Sequence, residues 1–216
     1  GPARSSSYVF DRSAVALPII VDVPASPSND LRPVWLLAVP AAAPAGTVLR
    51  CALTTGAAAV PTDYADCSTT FQPTLTSQGD YVVSVARRQP DGRTGAAVRS
   101  AYVLDLTPPA APVFVNPPLS PSKAVSVTWS WQPPESGGTS VCELLRSGVM
   151  QPGYPRPCAL SEQVDLSGTG DGSYTFRVRH VDVAGNASDW TTGSYVLDRV
   201  KPRLTVTARP AATPTP

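Results

Sequence analysis

The sequence contains little charge, only two lysines and no long hydrophobic run. Charged side chains make up 15% of the 216 residues, and 17 basic residues nearly cancel 16 acidic ones to leave a net charge of +1. Such a balance offers nothing that would attract a phosphate backbone or an anionic membrane surface, so we expect no nucleic-acid partner. No run of eighteen apolar residues occurs, which predicts that this chain is not inserted into a membrane.

Catalytic signatures are also missing from the sequence. The single histidine, His180, falls at the end of a predicted strand, where such a residue is most often a half-exposed surface group. There is no phosphate-binding loop, dinucleotide fingerprint, Gly-x-Ser-x-Gly elbow or His-Glu-x-x-His motif, and the acidic residues show no paired pattern. We therefore predict no catalytic residue, no metal site, no cofactor and no enzymatic activity.

Proline, by contrast, is abundant, with 25 of 216 residues or about 12% against a usual level of about 5%. The apolar fraction of 42% is enough to form a core. No segment keeps a 3.6-residue apolar period, whereas short alternating segments recur between turn clusters. This pattern predicts an all-β protein with many turns.

The chain is an internal duplication. Cys51 and Cys67 lie 16 positions apart, and so do Cys142 and Cys158, at an offset of 91 (51 to 142). The offset is 93 or 94 for other matching residues, namely Ser26-Pro27-Ser28 with Ser120-Pro121-Ser122, Trp35 with Trp129, Tyr81 with Tyr174, and Tyr102–Asp105 with Tyr195–Asp198. The chain therefore holds two tandem copies of a domain of about 93 residues.

These repeats set the domain boundaries. We predict domain 1 at 17–106 and domain 2 at 107–200. Because Ser7–Asp11 resembles the phrase that ends each repeat, residues 1–16 are expected to be the tail and last strand of a preceding repeat. Residues 201–216 form a Pro/Thr/Ala-rich linker, and the three prolines between 107 and 112 predict a short, stiff connection between the domains.

Alternating segments in each copy predict which side chains face the core. The inward-facing residues are expected to be Val125, Val127, Trp129, Trp131, Tyr174, Phe176 and Val178 in domain 2, and Leu31, Pro33, Trp35, Leu37, Tyr81, Val83 and Val85 in domain 1. Short strands with frequent turns over about 93 residues predict two tandem immunoglobulin-like β-sandwiches.

The four cysteines are interpreted as one intradomain disulfide per sandwich, Cys51–Cys67 and Cys142–Cys158. Four cysteines allow three connectivities, and the equal spacing in the two copies selects this one. The bridge is expected to hold a mid-domain loop and to place the protein in an oxidising compartment, secreted or at the cell surface. A four-cysteine zinc site is the alternative, but it requires close pairs such as Cys-x-x-Cys, which the chain lacks.

Domain 2 ends with Asp171-Gly172-Ser173-Tyr174-Thr175-Phe176-Arg177-Val178-Arg179, followed by Asp182-Val183-Ala184-Gly185-Asn186-Ala187-Ser188. This ending resembles the one found in tandem bacterial immunoglobulin-like domains of actinobacterial surface proteins, which implies an immunoglobulin or fibronectin-III sandwich. Domain 1 matches less well, because Gln89–Arg93 replaces Asp182–Asn186, and its last turn is expected to have a different shape.

Tyr81 and Tyr174 are predicted tyrosine-corner residues. Each follows a turn near the start of the penultimate strand, where the hydroxyl of such a tyrosine bonds back to upstream backbone. Their predicted role is stability.

Two aromatic residues of domain 2 are candidate ligand contacts. Trp190 has no counterpart in domain 1 and lies in a polar stretch, and Tyr154 is expected to be a second exposed aromatic residue. Either ring could stack on a sugar or a partner, although packing within the domain is the commoner role of such residues. Asp105, Asp182 and Asn186 could contribute to a calcium site, but they supply too few oxygens for the six to eight ligands that calcium takes.

The repeated framework favours a non-catalytic, extracellular spacer or presentation stalk of a larger surface protein, whose immediate partners are neighbouring repeats. The alternative is a ligand-binding ectodomain, that is, an adhesin, a carbohydrate-binding module or the sensory part of a membrane receptor. Its partner would be a cell-surface glycan or a protein.

Overall fold

The computed structural model describes residues 15–58 and 60–208. By contacts the chain divides into two units. The first comprises the described residues up to Pro108 together with Asp182–Asn186, and the second comprises Pro109–Val181 and the described residues from Ala187 onward. The predicted strand of a preceding repeat at Ser7–Asp11 and the last part of the predicted linker, 209–216, lie outside the described residues.

Domain 1 contains two antiparallel sheets. Its strands are β1 (Ile19–Asp22), β2 (Trp35–Ala38), β3 (Val48–Thr55), β4 (Ala65–Cys67), β5 (Thr70–Phe71), β6 (Gly79–Arg88) and β7 (Val98–Leu104). One sheet has the order β1-β2-β5 and the other β4-β3-β6-β7.

Domain 2 repeats this architecture. Its strands are β8 (Val113–Phe114), β9 (Ser126–Gln132), β10 (Thr139–Arg146), β11 (Val149–Met150), β12 (Arg156–Cys158), β13 (Ser161–Asp165), β14 (Gly172–Val181) and β15 (Thr191–Leu197). One sheet is β8-β9-β13, and in the other β12 and β11 pair with β10, which continues to β14 and β15. The prediction of two tandem all-β sandwiches is confirmed.

Each core lies between its two sheets, where strand alternation places the apolar side chains. In β9, Val127, Trp129 and Trp131 are buried while Ser126 and Thr128 are exposed. In domain 1 the corresponding Trp35 is fully buried. The prediction for Leu31 is wrong: it is 43% exposed, because Leu31 and Arg32 lie in a bend and the inward face begins only at the buried Pro33.

The Ser-Pro-Ser segments fasten the start of each domain to its last strand. Ser28 donates its N–H to the carbonyl of Val103 (3.0 Å) and accepts from the N–H of Asp105 (3.0 Å). Ser122 makes the same two bonds with Val196 and Asp198, both at 3.0 Å. These parallel contacts explain why the segment and the final strand recur together in the sequence.

The last hairpin turn has the same shape in both domains, contrary to expectation. The N–H of Asp182 donates to the carbonyl of Asn186 (2.9 Å), and the N–H of Gln89 donates to that of Arg93 (2.9 Å). Both turns place a glycine in the left-handed region, Gly185 at φ 95° and Gly92 at φ 87°. This glycine fixes the turn, so the backbone bonds form without the Asp and Asn side chains.

Candidate functional site

Both predicted disulfides are present. Cys51–Cys67 joins β3 to β4 with a Cα–Cα distance of 5.7 Å, and Cys142–Cys158 joins β10 to β12 at 5.9 Å. The bridges therefore connect adjacent strands of one sheet and close the segment between them. The second cysteine of each pair belongs to a short strand, which the alternation pattern did not reveal.

The two candidate corner tyrosines bond to backbone shortly before their own strands. Tyr81 donates its hydroxyl to the carbonyl of Ser77 (2.5 Å), and Tyr174 donates to that of Gly170 (2.7 Å). Both rings are buried in their cores. We expect each hydroxyl to stabilise its own domain.

Trp190 is half-buried on the outer face of the larger sheet of domain 2, where it contacts two arginines. The guanidinium carbons of Arg177 and Arg179 lie 4.9 and 4.8 Å from its ring centroid, and Arg177 also pairs with Glu143 on β10. A sugar that stacked on Trp190 would compete with these cations for the ring. This arrangement favours packing over ligand binding.

Trp190 and the two arginines that contact its ring, Arg177 and Arg179, form a unit that domain 1 lacks. At the corresponding positions, 93 residues earlier (84, 86 and 97), domain 1 has Ser84, Ala86 and Ala97. Where the tryptophan is missing, both arginines are missing too. Comparing the two copies could have revealed this association from sequence alone.

Tyr154 is half-buried and packs against the core of domain 2, rather than standing exposed. Its hydroxyl donates to Oε1 of Glu162 (3.0 Å), and the guanidinium of Arg156, which pairs with the same carboxylate, lies 5.0 Å from its ring centroid. Burial, followed by the bond to Glu162, raises the pKa of the Tyr154 phenol to about 12. Since Trp190 lies on the outer face of the sheet and Tyr154 against the core, the two candidate contacts do not form one site.

A cavity of about 280 Å³ lies beside Tyr154. Its polar side chains already have partners within the domain. Gln151 donates to the carbonyl of Val149 (2.9 Å), and Gln163 donates to the hydroxyl of Ser126 (3.1 Å). The cavity therefore presents few side-chain groups that a ligand would have to satisfy.

His180 contradicts the expectation of a half-exposed surface residue. Its side chain points inward at the end of β14, is 2% exposed, and neither ring nitrogen has a hydrogen-bond partner. It lines a second cavity, of about 390 Å³, together with residues of the 133–138 loop. Position 180 has the inward parity of Tyr174, Phe176 and Val178, which the sequence pattern could have extended by two residues.

The carboxylates considered for calcium are engaged in turns. The Asp182 carboxylate accepts from the N–H of Asn186 (2.8 Å) and from its side-chain amide (3.0 Å), and Asp105 accepts from the N–H of Thr107 (2.9 Å). Burial acts to raise the pKa of the Asp182 carboxyl, but the hydrogen bonds from Asn186, Ala184 and Gly185 outweigh it and hold the pKa below its usual value. Within residues 15–58 and 60–208, no three His, Cys, Asp or Glu side chains come together as metal ligands.

In the same part of the chain, no helix has the length and apolar character needed to cross a bilayer.

Comparison with known proteins shows the fold. No family model matches the chain, and neither does any curated protein. Among solved structures, the chain is similar to the FN1–FN3 domains of chicken CNTN1, with a TM-score of 0.51 and 9% identity over 85% of this chain and 64% of that one, which is less than two thirds of its length. It is also similar to the fibronectin(III)-like modules of Clostridium thermocellum CbhA, with a TM-score of 0.49 and 14% identity over 88% of this chain and 99% of that one. Identities this low support a fibronectin-III-like fold and nothing finer.

Proposed function

We propose that the chain is an exported, non-catalytic pair of fibronectin-III-like repeats that serves as a stiff spacer or presentation stalk within a larger bacterial surface protein. The observation that carries this proposal is what the two copies share. They have in common the core tryptophan, the tyrosine-to-backbone bond, the strand-to-strand disulfide and the bonds between the first segment and the last strand. These shared features build a fold and do not converge on one polar site.

Export is supported by the cysteines. Both disulfides close within their own domain, and such bonds persist in oxidising compartments and are rare in a reducing cytosol. The resemblance of the domain 2 ending to actinobacterial surface repeats favours a cell-surface location.

The spacer role is tested by small-angle X-ray scattering of the whole chain. The longest strands, β6 and β14, have 10 residues each and span about 34 Å, so two domains held end to end would extend over about 70 Å. A domain of this size has a radius of gyration of about 12 Å. For two such domains with centres about 35 Å apart we expect about 21 Å for the pair, against about 16 Å for a folded-back pair. A value near the lower figure would contradict the spacer.

A ligand-binding function has less support at Trp190 and Tyr154, the two candidate ligand contacts, because both are engaged with neighbouring side chains of domain 2. An adhesin or carbohydrate-binding module would need another site on the chain.

A further inference from the structure

One end of domain 2, where β10 begins and β14 ends, contains the cavity of about 390 Å³ described above, here named the His180 cavity. Three of its lining residues form a cross-strand row: Ser140 of β10 lies opposite Cys158 of β12 on one side and opposite His180 of β14 on the other. Residues opposite each other in antiparallel strands have Cβ atoms about 4.5–5.5 Å apart. The side chains of Ser140 and His180 are therefore adjacent on the cavity wall.

His180 is a buried polar side chain without a protein partner. Its ring is 2% exposed, and Nδ1 and Nε2 both lack a hydrogen bond. A neutral imidazole has one donor and one acceptor, and leaving them unpaired in a buried position costs free energy. A ligand group that both donates and accepts would remove that cost.

The loop side of this cavity is more polar in domain 2 than in domain 1, whereas the position of His180 is polar in both copies, since domain 1 has the buried Arg87 there at an offset of 93 (87 to 180). The loop between β9 and β10 carries Glu135, Ser136 and two glycines, whereas the corresponding 39–47 loop of domain 1 consists mainly of alanine and proline and has no charged residue. Ser140 corresponds to Leu49, at an offset of 91 (49 to 140). Ser140 has a structural role, because its hydroxyl accepts a hydrogen bond from the indole N–H of Trp131 (3.1 Å). The hydrogen of the same hydroxyl remains available to donate to a ligand.

The loop brings its backbone close to the cavity. Gly137 and Gly138 have φ values of 90° and 68°, in the left-handed region that favours glycine. Because glycine has no side chain, the backbone of Gly137 and Gly138 lines the cavity directly.

We propose that the His180 cavity binds one or two residues of a neutral saccharide. Hydroxyls of Ser136, Thr139 and Ser140, the Glu135 carboxylate and the His180 ring offer both donors and acceptors, as sugar hydroxyls do. Neither lysine nor arginine lines the cavity, so a phosphate or carboxylate ligand would face Glu135 without a compensating lysine or arginine. The proposal goes beyond the spacer function and does not depend on it.

The single histidine provides a direct test, because a histidine-labelled 216-residue chain gives one Cε1–Hε1 resonance that reports on this cavity. The chain is titrated up to tens of millimolar with glucose, galactose, mannose, arabinose, N-acetylglucosamine, maltose and cellobiose. We expect at least one sugar to shift this resonance saturably, while sodium phosphate and sodium acetate at matched pH and ionic strength do not. If no sugar gives a saturable shift, or if phosphate shifts the resonance to the same extent, the proposal is wrong.

Two variants locate the bound sugar. Glu135 is exposed on the loop, so Glu135→Gln should fold normally while weakening the binding about ten-fold or more, because charged acceptors form the stronger hydrogen bonds. Tyr154→Phe, in the other cavity, is the matched control and should leave affinity unchanged. Unchanged affinity in Glu135→Gln, or loss in Tyr154→Phe, would place the sugar elsewhere and overturn the assignment.

Discussion

Removing one disulfide at a time should destabilise the two domains equally. Each bridge spans 16 residues, and cross-linking a loop of that length removes chain entropy worth about 3 kcal/mol. For a domain of 60–100 residues, a loss of this size lowers the melting temperature by about 12–24 °C. The paired variants are Cys51→Ala/Cys67→Ala and Cys142→Ala/Cys158→Ala, and each should affect only its own domain.

The assay is urea and thermal unfolding of the whole chain, with Trp35 as the only tryptophan of domain 1 reporting on that domain. Reduced wild-type protein is the control that separates the cross-link from the loss of buried sulfur. A loss below about 1 kcal/mol in either domain, or destabilisation of the unmutated domain by the same amount, would refute the reasoning.

Three further changes test individual contacts. Trp190→Leu should cost domain 2 about 1–2 kcal/mol, because two cation–π contacts of about 0.5–1 kcal/mol each are lost, and urea unfolding would show no change if the ring made no such contribution. Tyr81→Phe and Tyr174→Phe should each cost about 1 kcal/mol in their own domain, and equal stability of the wild type and both variants would exclude the predicted role. The lowered pKa of Asp182 gives stability that is fully present above the unfolded value of 3.8 and is lost as pH falls through the folded value. Asp182→Asn should therefore flatten the stability profile below about pH 4, and a profile identical to the wild type in urea unfolding across this pH range would contradict the assignment.

Sequence reasoning was strongest where geometry repeats with a fixed period. Strand alternation identified Trp35, Trp129 and Trp131 as core residues, and the equal cysteine spacing identified both bridges. These features follow from local periodicity and from comparing the two copies, and a single sequence is sufficient for both.

Sequence reasoning failed where the environment of a residue is set by strands distant in the chain. The parity of His180 on β14 indicates an inward side chain, but the sequence pattern does not show that β10 and the 133–138 loop surround it. Packing was the commoner expected role of Trp190, but its contacts with the two arginines of β14 were not identified. Tyr154 packs against the core through a bond to Glu162 on the opposite sheet. None of these neighbours follows from a local pattern.

The hairpin turn of domain 1 shows a different kind of error. The loss of Asp and Asn at Gln89 and Arg93 suggested a new turn, but Gly92 retains the backbone conformation that decides the shape. Backbone requirements outweighed side-chain similarity at this position.

The central claim, two separately folded and separately cross-linked domains in one chain, is tested most directly by pulling the chain from its ends in single-molecule force spectroscopy. Each disulfide withholds 16 residues, so reduction should lengthen each unfolding step by about 50 Å at about 3.3–3.6 Å per residue. We expect two unfolding events per molecule, both lengthened by this amount in the reduced protein. A single event, or two events whose lengths do not respond to reduction, would contradict the account.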